Sequence, residues 1–446
     1  MSEAIPPARA RLTSLDQFRG YTVVGMLLVN FYGSYKNCWR VLKHTHDYCS
    51  YADTIMPQFL FAVGFAMQLG AAKMAQADPA TRWKRIIRRF IGLSLVAILY
   101  YSHDEIGSII EQIKNIGFWS TLGVLTKRTW MQTLLHIAIT GLWIAPVVGK
   151  SAAVRVVYML ISGLAHVWLS WKFNFVWTNG ADGSPGGIDG GPLGFLTWTS
   201  SAVLGTFACD IMRSGYSSTG VVLRLVGWGT LVAAIAWLCS SLTTLYNNEP
   251  IKNADGSFPA WYGPADAKLA IDPVNPTPER RQLAKLTFPE LPFIPPPPAV
   301  QPKPTEEDPN PEPLANLRQW NYWMMSQRAG SWTYTAYAGG LAMIIMAFFY
   351  IVSDLAGIQI GVFRTLGTNA LIAYIMQSFS GRILRSPGNQ EKFVGLLESI
   401  FGKFETPPRF DGDAPASWAI ASLLAHICII YGVCRFLEWR KWYVRM

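Results

Sequence analysis

Between residues 30 and 53 the chain carries an amide, two imidazoles and a carboxylate: Asn30, His44, His46 and Asp53. An imidazole titrates near neutral pH, so it can take a proton from a weak nucleophile and return it to a leaving group, while a nearby carboxylate orients the ring. A structural reading fits the same residues, with a solvated loop and an Asp53 that only caps a helix, and both stay open at this point. Other polar residues lie inside apolar runs: Gln132, His136, His166, Asn369 and His426. For a lone histidine in such a run, a hydrogen bond to a facing helix is the simpler role. His103, Asp104 and Glu105 are consecutive, and consecutive residues do not share a helix face, so no metal site is expected there or elsewhere.

These side chains must be positioned by apolar helices. Of 446 residues, 51% are hydrophobic and 15% charged, against about 25% charged in an average soluble protein. The composition points to an all-α fold, a polytopic bundle of about ten transmembrane helices. Apolar runs fall near 13–33, 54–76, 88–104, 130–149, 152–172, 193–213, 221–242, 332–353, 364–380 and 416–437. Asn30 then sits near the outer end of the first span and Asp53 at the outer start of the second, with the two histidines in the loop between them.

The net charge of +10 would suggest nucleic acid in a soluble protein. Here the basic residues crowd short connections, Arg82, Lys84, Arg85, Arg88 and Arg89 in one and Arg435, Arg440, Lys441 and Arg445 near the end. That pattern fits membrane lipid and the positive-inside rule, with both termini cytoplasmic, rather than a nucleic-acid partner. A first span without an A-x-A-like cleavage site suits retention, and a bacterial inner membrane is the expected location.

The chain is expected to divide into residues 1–242 with seven spans, an extracytoplasmic insertion over 243–331, and residues 332–446 with three spans and a tail. The insertion holds 17 of the 28 prolines and favours extended structure. It reads as a spacer, with the alternative that its aromatic patches fold back over a site. Cys38 and Cys49 share the first loop and could pair in an oxidising compartment or stay as thiols. A homo-oligomer is left open.

Three segments go further. Ser14-Leu15-Asp16-Gln17-Phe18-Arg19-Gly20 opens the first span, Val29-Asn30 ends it, and Ala52-Asp53-Thr54-Ile55-Met56-Pro57-Gln58-Phe59-Leu60-Phe61-Ala62-Val63-Gly64 follows the histidine loop. They resemble the heparan-α-glucosaminide N-acetyltransferase family of membrane acetyltransferases, with its S-x-D-x-F-R-G, V-N, Lys-His and A-D-x-x-x-P-x-F-x-F-x-x-G pattern. Weaker echoes lie at Gln132 and at Gly367-Thr368-Asn369-Ala370-Leu371 with Tyr374.

The resemblance implies transfer of an acetyl group from cytoplasmic acetyl-CoA to an extracytoplasmic amine or hydroxyl, with an amino sugar or other carbohydrate as the nearest acceptor. It implies Asn30 and Asp53 as site residues and a histidine after a lysine as the catalytic one. Lys43-His44 fits, nine residues before Asp53, while His46 stands seven away. His44 is favoured and His46 kept, as general base or acetyl carrier. Arg19, Asp16, Gln132 and Asn369 are the candidates for holding acetyl-CoA, with Arg82 to Arg89 as further phosphate contacts. A transporter or flippase for a lipid-linked sugar is the alternative, and a scaffold built on the proline-rich loop a third.

Overall fold

The computed structural model describes residues 12–44, 48–173, 177, 188–240, 292–294, 323, 325–386 and 416–443, with part of 388–399. Among these residues all regular structure is helical. The helices are α1 (Thr13–Tyr32), α2 (Tyr51–Ala75), α3 (Pro79–Ser102), α4 (Ile106–Ile116), α5 (Phe118–Val124), α6 (Thr133–Ile144), α7 (Ala152–Phe173), α8 (Phe195–Arg213), α9 (Ser218–Cys239), α10 (Trp332–Phe349), α11 (Gly361–Thr368), α12 (Ala370–Arg385) and α13 (Ala416–Trp439). Each of the ten apolar runs overlaps a helix, and among the described residues five stretches are long and apolar enough to cross a membrane: Tyr51–Ala75, Ala152–Ser170, Ser218–Cys239, Trp332–Leu355 and Ala416–Trp439. This is the make-up of an integral membrane protein.

One expectation shifts. The basic run Arg82 to Arg89 lies on the first turns of α3, not in a loop: the Asp78 carboxylate accepts from the Thr81 N–H at 2.9 Å and Pro79 supplies a first turn that needs no donor. The connection between the third and fourth apolar runs is itself helical, as α4, α5 and a π-turn over Leu125–Thr129.

The chain forms two compact units, one of Met1–Leu42, Ile211–Gly227 and Met343–Met446, the other of Lys43–Asp210 and Trp228–Ala342. In the first, α1 packs on α11 at glycine contacts. A Cβ on Gly20 would lie 1.8 Å from the Phe363 carbonyl oxygen, and one on Gly367 2.2 Å from that of Asp16. The Ser14 N–H and hydroxyl both donate to Asp354, at 3.1 and 2.5 Å, and Gln17 bonds the backbone of Ile360 in both directions. Phe18, Tyr21, Phe349 and Phe363 pack their rings around this crossing. Much of the S-x-D-x-F-R-G segment thus serves helix packing.

In the second unit α2 packs on α8 by the same device. A Cβ on Gly64 would stand 1.8 Å from the Ala202 carbonyl oxygen and one on Gly205 2.0 Å from that of Phe61. Small residues let two apolar helices approach closely enough for dispersion to hold them where lipid offers no hydrophobic drive. At the far end of these helices from Ser50, Arg155 is buried against Asp210 and Thr206, and Gln68 ties Asp210 to the backbone N–H of Gly149.

Candidate functional site

The head of α2 gathers the titratable side chains. Ser50 is its N-cap: the Asp53 N–H donates to Ser50 Oγ at 3.3 Å, and Asp53 Oδ2 accepts from the Ser50 N–H and hydroxyl at 3.0 and 2.9 Å. This capping box fixes the carboxylate. Its other oxygen, Oδ1, lies 2.9 Å from His44 Nδ1. Asp53 therefore caps the helix and holds the imidazole at once.

Asp53 is 1% exposed and the His44 side chain 43%. With Nδ1 engaged by a carboxylate, Nε2 is the nitrogen left to accept a proton. Desolvation lowers the proton affinity of His44, but the hydrogen bond and charge of Asp53 and the charge of Asp189 outweigh it, so its pKa is raised from 6.5.

A second lock sits on the backbone. Pro57, four residues after Asp53, has no N–H, so the Asp53 carbonyl loses its helical donor. The fully buried Tyr334 of α10 supplies the replacement, its hydroxyl donating to that oxygen at 2.5 Å. The D-x-x-x-P spacing therefore opens a carbonyl at the residue that holds the imidazole, and a tyrosine from another helix fills it.

Sequence reasoning missed Asp189, which is 4% exposed and adopts a left-handed φ of 56°. Gln327 Nε2 donates to its Oδ1 at 2.5 Å, and Trp198 Nε1 donates to its carbonyl at 2.8 Å. Gly190 and Gly330 make the crossing of the two loops possible: both have positive φ, 80° and 59°, and a Cβ on Gly330 would stand 2.8 Å from the Gly190 Cα. Burial pushes the Asp189 carboxyl up to about 7, the charge of Asp53 adds to this, and His44 and Gln327 oppose it. The available signal was the turn Asp189-Gly190-Gly191-Pro192, where Asp tolerates the left-handed region.

The insertion reaches this neighbourhood in its described pieces. The Phe293 N–H donates to the Cys49 carbonyl at 2.9 Å, and Gln327 holds Asp189. Cys38 and Cys49 both carry thiols rather than a disulfide.

His46 lies outside the described residues. Asn30 belongs to the first unit, exposed, with its amide donating to Gln377 Oε1 at 3.0 Å. Asp16 and Arg19 are on α1, and Asn369 is buried at the junction of α11 and α12. Gln132 precedes α6 and donates to the Thr129 carbonyl at 2.8 Å. The structure thus brings His44 and Asp53 into contact. His103 Nδ1 lies 2.5 Å from the Tyr100 carbonyl and its Nε2 3.4 Å from Asp104 Oδ2.

No curated protein matches the chain. The stretch that contains α1, the histidine loop and the head of α2 does have a counterpart: residues 11–174, less than half of the chain, match the family model of heparan-alpha-glucosaminide N-acetyltransferase, catalytic.

Proposed function

We propose that this protein is a transmembrane acetyltransferase that moves an acetyl group from cytoplasmic acetyl-CoA to an extracytoplasmic acceptor, an amino sugar or a related carbohydrate. The observation that carries this reading is the 2.9 Å contact between His44 Nδ1 and Asp53 Oδ1, inside the matched stretch. Asp53 fixes the ring tautomer and steadies the imidazolium, as a carboxylate does for a catalytic histidine elsewhere.

A thioester is already activated, so the site needs proximity, a base and a place for the oxyanion. The acceptor nitrogen attacks the thioester carbonyl, and its proton goes to His44 Nε2. The tetrahedral intermediate collapses with rupture of the C–S bond, and the same proton passes to the departing CoA sulfur. An ammonium acceptor must first shed one further proton to solvent. Asn30 carries the oxyanion role by the resemblance alone, as Arg19, Asp16, Gln132 and Asn369 carry the acetyl-CoA role. His46 remains the alternative histidine.

The test is labelled acetyl transfer by purified, vesicle-reconstituted protein to a panel of amino sugars. Transfer that depends on acetyl-CoA supports the reading. Solute flux without thioester consumption would support a transporter in its place.

A further inference from the structure

We infer that Asp189 is a positioning residue of this site, a second carboxyl, braced by Gln327, that acts on the His44 imidazole through its charge. The inference rests on the proposed role of His44 and adds a residue that lies beyond the matched stretch.

Three observations place it there. Asp189 is buried, and its carboxyl is tied to Gln327 at 2.5 Å while its backbone is fixed by Trp198 and by the glycine crossing. A side chain held at both ends cannot swing away to water. Trp198, which holds that backbone, packs edge-on against Tyr334 with ring centroids 5.5 Å apart, and Tyr334 holds the carbonyl of the Asp53 that grips His44, so one run of contacts joins Asp189 to the imidazole's partner. Finally, the charge of Asp189 raises the proton affinity of His44, and the charges of His44 and Asp53 act on Asp189 in turn.

The physical consequence is a coupled titration. With the imidazole neutral, Asp189 faces the anionic Asp53 in a dry setting and tends to hold a proton. When His44 takes the proton of the acceptor, the new positive charge favours the ionised form of Asp189. The carboxyl thereby compensates the charge that forms on the ring, and an ionised Asp189 in turn raises the proton affinity of His44. Other groups bear on this field. They are Arg328, whose carbonyl accepts the Gly190 N–H, Arg128, whose charge acts on Arg328, and Lys127, in the turn packed on residues 191–193. Cys49, the Tyr334 hydroxyl, and His136 beside Gly194 complete the set.

The experiment titrates the His44 ring by NMR in histidine-labelled full-length protein, assigned with His44→Gln, alongside the pH profile of transfer. Asp189→Asn keeps the oxygen that Gln327 contacts and removes the charge. The His44 midpoint should move to lower pH by about half a unit or more, with the acid limb of transfer moving alongside it. Gln327→Ala, which withdraws a donor that favours the ionised carboxyl, should move it the same way by less. An unmoved midpoint in both variants, whatever the activity, overturns the inference, because loss of structure alone lowers rates without shifting a titration. A midpoint that moves while the acid limb does not would leave Asp189 coupled to the ring and would instead refute His44 as the base.

Discussion

Replacing Tyr334 by Phe removes one oxygen, and the structure gives that change a defined cost. Tyr334 is fully buried and its hydroxyl is the donor to the Asp53 carbonyl, which Pro57 has left without its helical N–H. Both residues are buried, so losing this donor costs about 1–3 kcal/mol. Pro57→Ala supplies a backbone N–H at the same carbonyl and relieves a ring whose place in a helix interior costs about 3 kcal/mol. In the Pro57→Ala background, Tyr334→Phe should therefore cost less than in the native sequence, with a coupling of about 1 kcal/mol. The assay is a double-mutant cycle on unfolding of the detergent-solubilised protein, with transfer measured in parallel. Equal penalties for Tyr334→Phe in both backgrounds would refute the claim that one carbonyl links proline and tyrosine.

Other outcomes follow from the same contacts. Asp53→Asn presents an amide to His44 Nδ1 and loses the charge, so transfer should fall by about 10²–10⁴-fold, whereas Ser50→Ala, which removes the cap, should cost about 1 kcal/mol of stability and a smaller share of rate; equal rates in Asp53→Asn and the native protein would contradict the assignment. Because the folded pKa of His44 is raised, the stability from its contact with Asp53 is fully present below about pH 6.5 and is lost as pH rises through the higher folded value. The difference in unfolding midpoint between native protein and His44→Gln should accordingly shrink on going alkaline, and a difference that grows would invert the sign argued here. Gly64→Val would drive a side chain into the Ala202 backbone, 1.8 Å from where its Cβ must sit, so the variant should fail to yield folded protein, and a native midpoint would show that α2 and α8 do not cross there.

Much of the helix plan was legible because an apolar run of membrane length has few other fates: all ten runs meet helices. The basic run on α3 was misread because charge suggested a connection, while the stop and start signals, Asp78 and Pro79, sat just ahead of it. The α4 segment was missed because Ile106, Ile110 and Ile113 recur at helical spacing without the length of a span. At the site, Asp53 and His44 were readable from their loop. Asp189 was not, since it is brought to them across 136 positions from Asp53 by packing of α8, α10 and the loops ahead of them, which no local pattern encodes. The Tyr334 contact was equally hidden, although Pro57 marked the carbonyl that needed it.

The role proposed for the imidazole at the head of α2, held by Asp53, is that of the base in an acetyl transfer. Its most direct measurement is the transfer of labelled acetyl from acetyl-CoA to glucosamine by vesicle-reconstituted native protein, His44→Ala and His46→Ala, each checked for folding. Transfer is expected from the native protein and from His46→Ala, and none from His44→Ala. Native transfer rates in folded His44→Ala would contradict the proposed role.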